Sequence, residues 1–576
     1  MINQPQNIIE TDVAIIGGGP SGSTCASLVR KYAPGMNVLI LEREQFPRDH
    51  VGESQLPVVG SVLDEMGVWD KVEAANFPLK IGVTLRWGNE SKLWDFDFAS
   101  PEMTEDLPRP GKYEGVRKQI AFQVDRAIYD EILLDHAEGL GTQVRQQTKV
   151  AKIHRDGDRI EGLELTDGSM VKARWYVDAS GHTGILRRAM GVEADPVTSL
   201  QNIASWDYWD NTKWAVKIGV GGTRVQVLSQ AGGWIWFIPL GPTRTSIGFI
   251  CHGDHYKKQR QTKSVEEIYL EALANDERVQ GLCEGATRRG NVETTKDWSF
   301  LAERTTGENW FLVGEAAGFA DPVLAAGMML AHVGARELAY VLAELHTDQS
   351  REAWLKSSFD TNQRRRVNQH IRFADFWYSA NGQFSDLREQ CVKIADESGL
   401  KLTPEAAWRW LAQGGFANDF VDKANFGTFD LSSMKHVMGF VMGKQLDWKL
   451  SEVNVIKLNL RNAEKIQLPK FEDGKIVSIE CYERAGRRLP LTGVYQVLLD
   501  ALEASSDLEQ IMGYLRKRFG TQSGAFALFN TAVQTLEAML EEKWVTGKFN
   551  KKKKRVTVKT EAETDYLHFN RDPEVA

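Results

Sequence analysis

Asp12 to Ile16 is a short apolar run, rich in β-branched residues, that stops at Gly17, Gly18 and Gly19. It predicts a strand and a tight turn, followed by a helix over Ser21 to Lys31. Val38-Leu39-Ile40-Leu41 predicts the next buried parallel strand, ending on Glu42. Helical and strand patterns then alternate to about Lys80. Ile160 to Leu165, Met170 to Ala173 and Trp175 to Ala179 give three β-like runs. From Trp206 to Ile250 strand patterns dominate and include Trp234-Ile235-Trp236-Phe237-Ile238-Pro239. A β-rich insertion over about residues 195–300, roofing a site, is expected. Trp310 to Val313 returns to a strand, and a glycine-rich turn leads into a helix.

Beyond Arg351 the pattern changes to long helical stretches with many aromatics, among them Trp354, Phe373, Phe376, Trp377, Tyr378, Trp408 and Trp410. Ser506-Asp507-Leu508-Glu509 reads as a capping box. The helix it opens carries Leu508, Ile511, Met512, Leu515 and Phe519 on one side. Val533, Leu536, Leu540 and Trp544 form a second apolar stripe ending near Gly547. The expected organisation is an α/β core over 1–350, a mainly helical segment over 351–480, and a winged-helix-like module over 481–576.

Composition narrows the class. At 576 residues, several domains are expected. A net charge of −8 argues against nucleic acid as the main partner. The cysteines Cys25, Cys251, Cys283, Cys391 and Cys481 are scattered, without Cys-x-x-Cys or metal-ligand spacing. No metal site is expected, and a reducing compartment is. With neither a leader pattern at the start nor an apolar run of membrane-spanning length, a cytoplasmic protein without a membrane partner is expected.

Gly17-x-Gly19-x-x-Gly22, between a strand and a helix, has the mechanics of a pyrophosphate cradle. Glycine permits the tight turn and close backbone approach, and the helix N-terminus faces the phosphates. Glu42 lies twenty residues after Gly22, where a carboxylate holds ribose hydroxyls. Packing alone is the bland account of such a glycine turn, and the register of strand, helix and acid argues against it.

Val177-Asp178-Ala179-Ser180-Gly181 and Gly314-Glu315-Ala316-Ala317-Gly318-Phe319-Ala320-Asp321-Pro322 resemble the second and third flavin motifs of the para-hydroxybenzoate hydroxylase-like superfamily. The resemblance implies FAD in a Rossmann-like fold, with Glu315 standing where an aspartate usually meets the ribityl chain. It also places Gln123 and Arg126 near the diphosphate. The bland account of Arg126 is an ordinary salt-bridge partner, and the fit of guanidinium to phosphate favours cofactor contact.

Trp234-x-Trp236-x-Ile238-Pro239, together with Lys80 in Phe77-Pro78-Leu79-Lys80-Ile81-Gly82, resembles the flavin-dependent halogenases. Phe46-Pro47-Arg48-Asp49-His50-Val51-Gly52-Glu53-Ser54 is similar to a run of their non-tryptophan branch. The tryptophan branch carries a glutamate where this chain has Leu324. The likeness covers the first 350 residues through specific motifs and the remainder loosely. It implies reduced FAD, oxygen, and chloride or bromide as reactants, with Arg48 among the cofactor contacts. Lys80 would guide hypohalous acid, and Trp234 and Trp236 would bar the organic substrate from the flavin.

In the same family, backbone amides of a Phe-x-x-Pro-x-x-Ser-x-Gly loop hold the halide. This points to Ala326 and Gly327, with Ala325 where serine is usual. Asp297, in Lys296-Asp297-Trp298-Ser299-Phe300, is expected near the isoalloxazine. No second nucleotide fingerprint is present, so a flavin reductase is the expected partner. The expected substrate is a phenol, a pyrrole, a carrier-tethered group or an acyl unit. The bland readings are tryptophans packing a sheet and a solvated lysine. Rival functions are a flavin monooxygenase or prenyl-type reductase of the same fold and, outside enzymes, a flavin-sensing regulator. For that regulator the basic run Lys551 to Arg555 would be the DNA contact.

Overall fold

The computed structural model describes residues 7–87, 93–97, 120–195, 201–214, 221–230, 232–241, 243–379, 448–484, 487–519, 525–556 and 567–569. Trp408 and Trp410 lie outside the described residues, as do the side chains of Phe373, Phe376 and Trp377. Residues 1–388, 411–417 and 565–576 make one compact unit, and residues 389–410 and 418–564 a second. The boundary expected at 350 therefore falls inside the first unit, between the helices Gly327–Thr347 and Glu352–Ser379.

Two large sheets organise the first unit, beside a small three-stranded one formed by Ala194–Asp195, Phe300–Ala302 and Gly318–Phe319. One of the large sheets is mainly parallel. Ile8–Ile16 lies between Val38–Leu41 and Met170–Asp178, and Trp310–Leu312 pairs with the far end of the latter. The runs read as separate strands at 170 and 175 are one continuous strand. Val13 to Ile16 are buried on both sides, which is why this strand is apolar without alternation. The helix Pro20–Tyr32 follows the glycine turn directly and packs on Gly327–Thr347.

The second sheet contains the strands Gln201–Asp210, Arg244–His252, Gly233–Pro239, Gly222–Gln230 and Leu79–Arg86 in that spatial order. These pairs are antiparallel except the last, which is parallel. One irregularity matters for function. Thr223 stands opposite Lys80 and Arg224 opposite Gly82, leaving Ile81 as an extra residue. A one-residue bulge reverses the phase of everything beyond it. Thr223 shares a face with Val225 and Val227, and Val227 is the partner of Trp236. Lys80 is thus in phase with Trp234 and Trp236. Without the bulge it would share the opposite face with Thr84, Gln226 and Phe237.

In the second unit, Val455–Leu458 pairs antiparallel with Val545–Lys548. Between them come the helices Gly493–Ala504, Leu508–Phe519 and Ala525–Glu541. Leu508, Ile511, Met512, Leu515 and Phe519 are all buried, as their helical spacing requires. The cap of that helix differs from the expectation by one residue. Asp507 Oδ1 accepts the Glu509 amide, and the Asp507 carboxylate also pairs with Lys553. Lys554 pairs with Glu509. The basic run is therefore partly matched by acids of its own module. No helix among the described residues is long and apolar enough to cross a membrane.

Candidate active site

The glycine turn is shaped by contacts that exclude side chains. Gly17 has φ +106°, and a Cβ on it would lie 2.4 Å from the Ala179 carbonyl oxygen. A Cβ on Gly22 would lie 1.9 Å from the Gly17 carbonyl oxygen. Gly19 caps the helix Pro20–Tyr32 and looks toward the Arg48 guanidinium. Glu42 is buried at the strand end, where Oε2 accepts the Gly18 amide at 2.7 Å and Oε1 the Glu44 amide at 2.9 Å. The carboxylate thus fixes the turn from behind.

Three of the expected cofactor contacts meet around residues 46–56. Arg126 lies in a buried bidentate pair with Asp130, at 2.8 and 2.9 Å, and its Nη1 donates to the carbonyls of Val51 and Gly52. It holds the loop in place, as the salt-bridge reading has it. Arg48 shares Asp130 at 3.3 Å and stacks on Phe46, leaving Nη1 buried without a partner. Gln123 is completely buried, and neither its Oε1 nor its Nε2 has a partner. Orphaned buried polar atoms are uncommon, because each forfeits the full cost of desolvation. Arg48, beside the N-terminus of a helix and a side-chain-free turn, and the orphaned amide of Gln123 fit a phosphate-bearing polar cofactor such as FAD.

Lys80 is 1% exposed, and its Nζ donates to the Gln55 carbonyl at 2.9 Å. Burial disfavours the ammonium and brings its pKa down to about 7. Trp234 and Trp236 are buried side by side, with ring centroids 6.1 Å apart. The Trp236 ring lies across Gly248, where a Cβ would come within 2.1 Å, and its Nε1 donates to Ser246 Oγ at 3.1 Å. Glu53 sits beside the Ser246 and Tyr208 hydroxyls, its carboxyl pushed up to about 7 by burial.

The loop expected to hold halide ends at the N-terminus of the helix Gly327–Thr347, whose first-turn amides have no intrahelical acceptor. Ala326 and Gly327 are at that start. Ala325 has φ +50°, a left-handed conformation that costs a non-glycine residue about 1 kcal/mol or more. A left-handed residue followed by right-handed Ala326 is the backbone pattern of an anion-binding nest. Glu315 lies close to both Gly181 and Gly327, with its pKa raised by burial. Asp297 pairs in register with Asn202, and its side chain lies outside the described residues, as does that of Leu324.

The motifs did not mark Asn202 or the roles of Tyr378 and Asp321, although the structure joins all three to Trp234. Tyr378 comes from the helix Glu352–Ser379, 144 residues from its tryptophan partner. Only its burial within a polar helix would have signalled it.

Residues 10–374 match the FAD binding domain family. A 1H-pyrrole-2-carbonyl-[peptidyl-carrier protein] chlorinase of Pseudomonas fluorescens is 36% identical over 342 residues, spanning 56% of this chain and 74% of that one. A tryptophan 2-halogenase of Chondromyces crocatus is 33% identical, and the chain spans 59% of its length. The crystal structure of CmlS, a flavin-dependent halogenase, superposes with a TM-score of 0.72 over 98% of this chain and 99% of that one, at 23% identity. The fold and cradle define an FAD-binding protein. Within that class the chain belongs to the flavin-dependent halogenases.

Proposed function

We propose that the protein halogenates an electron-rich organic substrate with halide, oxygen and reduced FAD, and that Lys80 directs the halogen. Bound reduced FAD supplies the activation of oxygen that converts halide to hypohalous acid. Gly17, Gly19, Gly22, Arg48 and Gln123 are the residues that would hold it, with Arg126 and Asp130 bracing Arg48. Amides of Ala326 and Gly327 offer the halide dipoles without a hydroxyl at Ala325.

The observation carrying the reading is Lys80, buried and in phase with both tryptophans, with burial lowering its pKa to about 7. A neutral amine reacts with hypohalous acid to give a haloamine and water. The nitrogen–halogen bond then breaks with its electron pair going to nitrogen as carbon–halogen forms, the ring gives up its proton, and the nitrogen takes up one proton to regenerate the amine. A fully charged surface lysine lacks the lone pair for that step.

A pyrrole or phenol, free or tethered to a carrier, suits this electrophile. The carrier-bound pyrrole in the name of the 36% identical relative supports that class, as does Leu324 in place of the tryptophan-branch glutamate. A separate reductase would deliver the reduced flavin. Supplying FAD, a reductase, NADH, oxygen and bromide to free and carrier-bound pyrrole and phenol tests this. Products carrying the bromine isotope pair support it, while products gaining only oxygen or hydrogen overturn it.

A further inference from the structure

Tyr378 Oη is the centre of a buried junction. It accepts Trp234 Nε1–H at 2.8 Å and Asn202 Nδ2–H at 3.3 Å, and it donates to Asp321 Oδ1 at 3.1 Å. Indole N–H is only a donor, so the hydroxyl oxygen must accept from it and its single proton must go to Asp321. Asp321 Oδ1 also accepts the Val323 amide at 2.8 Å, and Oδ2 accepts Asn202 Nδ2–H at 3.2 Å. Each group therefore has a partner of the right polarity. The Trp87 ring packs edge-on against Trp234 and Tyr378, at centroid distances of 6.3 and 5.9 Å.

The junction ties together elements with separate tasks. Trp234 belongs to the tryptophan string, while Asp321 caps the short turn Pro322–Leu324 that leads to Ala325 and the helix start. We propose that Tyr378 is a positioning residue that latches the Trp234 indole to the halide-binding loop through Asp321, so that barrier and halide site keep one fixed geometry. This rests on the halogenase reading for its consequence, although the latch itself is a property of the fold. With the latch open, reduced flavin would still consume oxygen, but more of it would leave as hydrogen peroxide and less as halogenated product.

Asp321 faces Tyr378, Asn202 and the Val323 amide at close range, and Asp375 from the Tyr378 helix acts on it electrostatically. Burial raises its pKa to about 7, and the donors around it oppose that rise. The latch needs the carboxylate as acceptor, so acidification through that range weakens it.

Tyr378→Phe keeps the ring and removes the hydroxyl. Hydrogen–deuterium exchange on the protein without flavin is one readout. Peptides spanning 233–239 and 320–327 should both exchange faster, by about fivefold or more, since the hydroxyl's bonds to Trp234, Asn202 and Asp321 are all lost. In the loaded enzyme the ratio of peroxide to halogenated product should rise by a similar factor, with FAD affinity near wild type. Unchanged exchange and an unchanged peroxide ratio overturn the latch. A wild-type protein that halogenates nothing, yet shows coupled exchange changes in Tyr378→Phe, overturns the halogenase reading and leaves the latch supported.

Discussion

Lys80 Nζ reaches the main-chain oxygen of Gln55 at 2.9 Å, which anchors a lysine at the interior end of a strand. That contact satisfies one amine hydrogen in either protonation state. Burial disfavours the charged form and lowers the pKa to about 7.

A stability signature follows from that pKa. Between about 7 and 10.5 the unfolded chain keeps the Lys80 proton and the folded chain does not. Folding stability therefore rises with pH across this window, and below it the burial cost is present in full. Each pKa unit corresponds to about 1.4 kcal/mol, so the cost at pH 6 amounts to several kcal/mol. Lys80→Met should raise the melting temperature at pH 6, with the gain shrinking toward pH 10. Melting curves of both proteins across pH give the answer, and a gain that grows with pH contradicts the burial of the amine.

Gln123 offers a test of the cradle. Its two orphaned amide atoms cost stability in the protein without flavin. Gln123→Leu should stabilise that form by about 1 to 3 kcal/mol while weakening FAD binding. Denaturant melts and FAD titration by fluorescence quenching measure the two effects. Loss of stability without loss of FAD affinity would make Gln123 a packing residue.

Arg126 should behave differently. Arg126→Met leaves Asp130 buried with the more distant Arg48, at 3.3 Å, as its counter-charge among the described residues. Breaking a buried pair in this way costs about 3 to 5 kcal/mol. The expected outcome in a urea melt is a stability loss of that size, with FAD binding falling only as the 46–56 loop loosens. If Arg126→Met melts like wild type and loses FAD affinity alone, the guanidinium is a direct cofactor contact.

What was legible in the sequence was local. The strand, turn and helix around Gly17 follow from a β-branched run, glycines and a helical stripe, all within twenty-five residues. The aromatic string from Trp234 was readable as a strand because alternation is a nearest-neighbour property. The phase of Lys80 was not readable, since the bulge at Ile81 exists only in the pairing with Thr223. Tyr378 lay further out of reach. Its meaning depends on a hydroxyl meeting an indole and a carboxylate contributed by distant segments. The cap at 506–507 shows the usual limit on element ends, where neighbouring Ser and Asp compete for one amide.

The most direct test of the central claim is the fate of oxygen in Lys80→Ala. With flavin, reductase, NADH, bromide and an accepted substrate supplied, oxygen uptake should continue near the wild-type rate. Halogenated product should fall by about 10²–10⁴-fold, the usual scale for loss of a positioned proton-handling group. If Lys80→Ala halogenates the same position at close to wild-type yield, the buried amine is not what delivers the halogen.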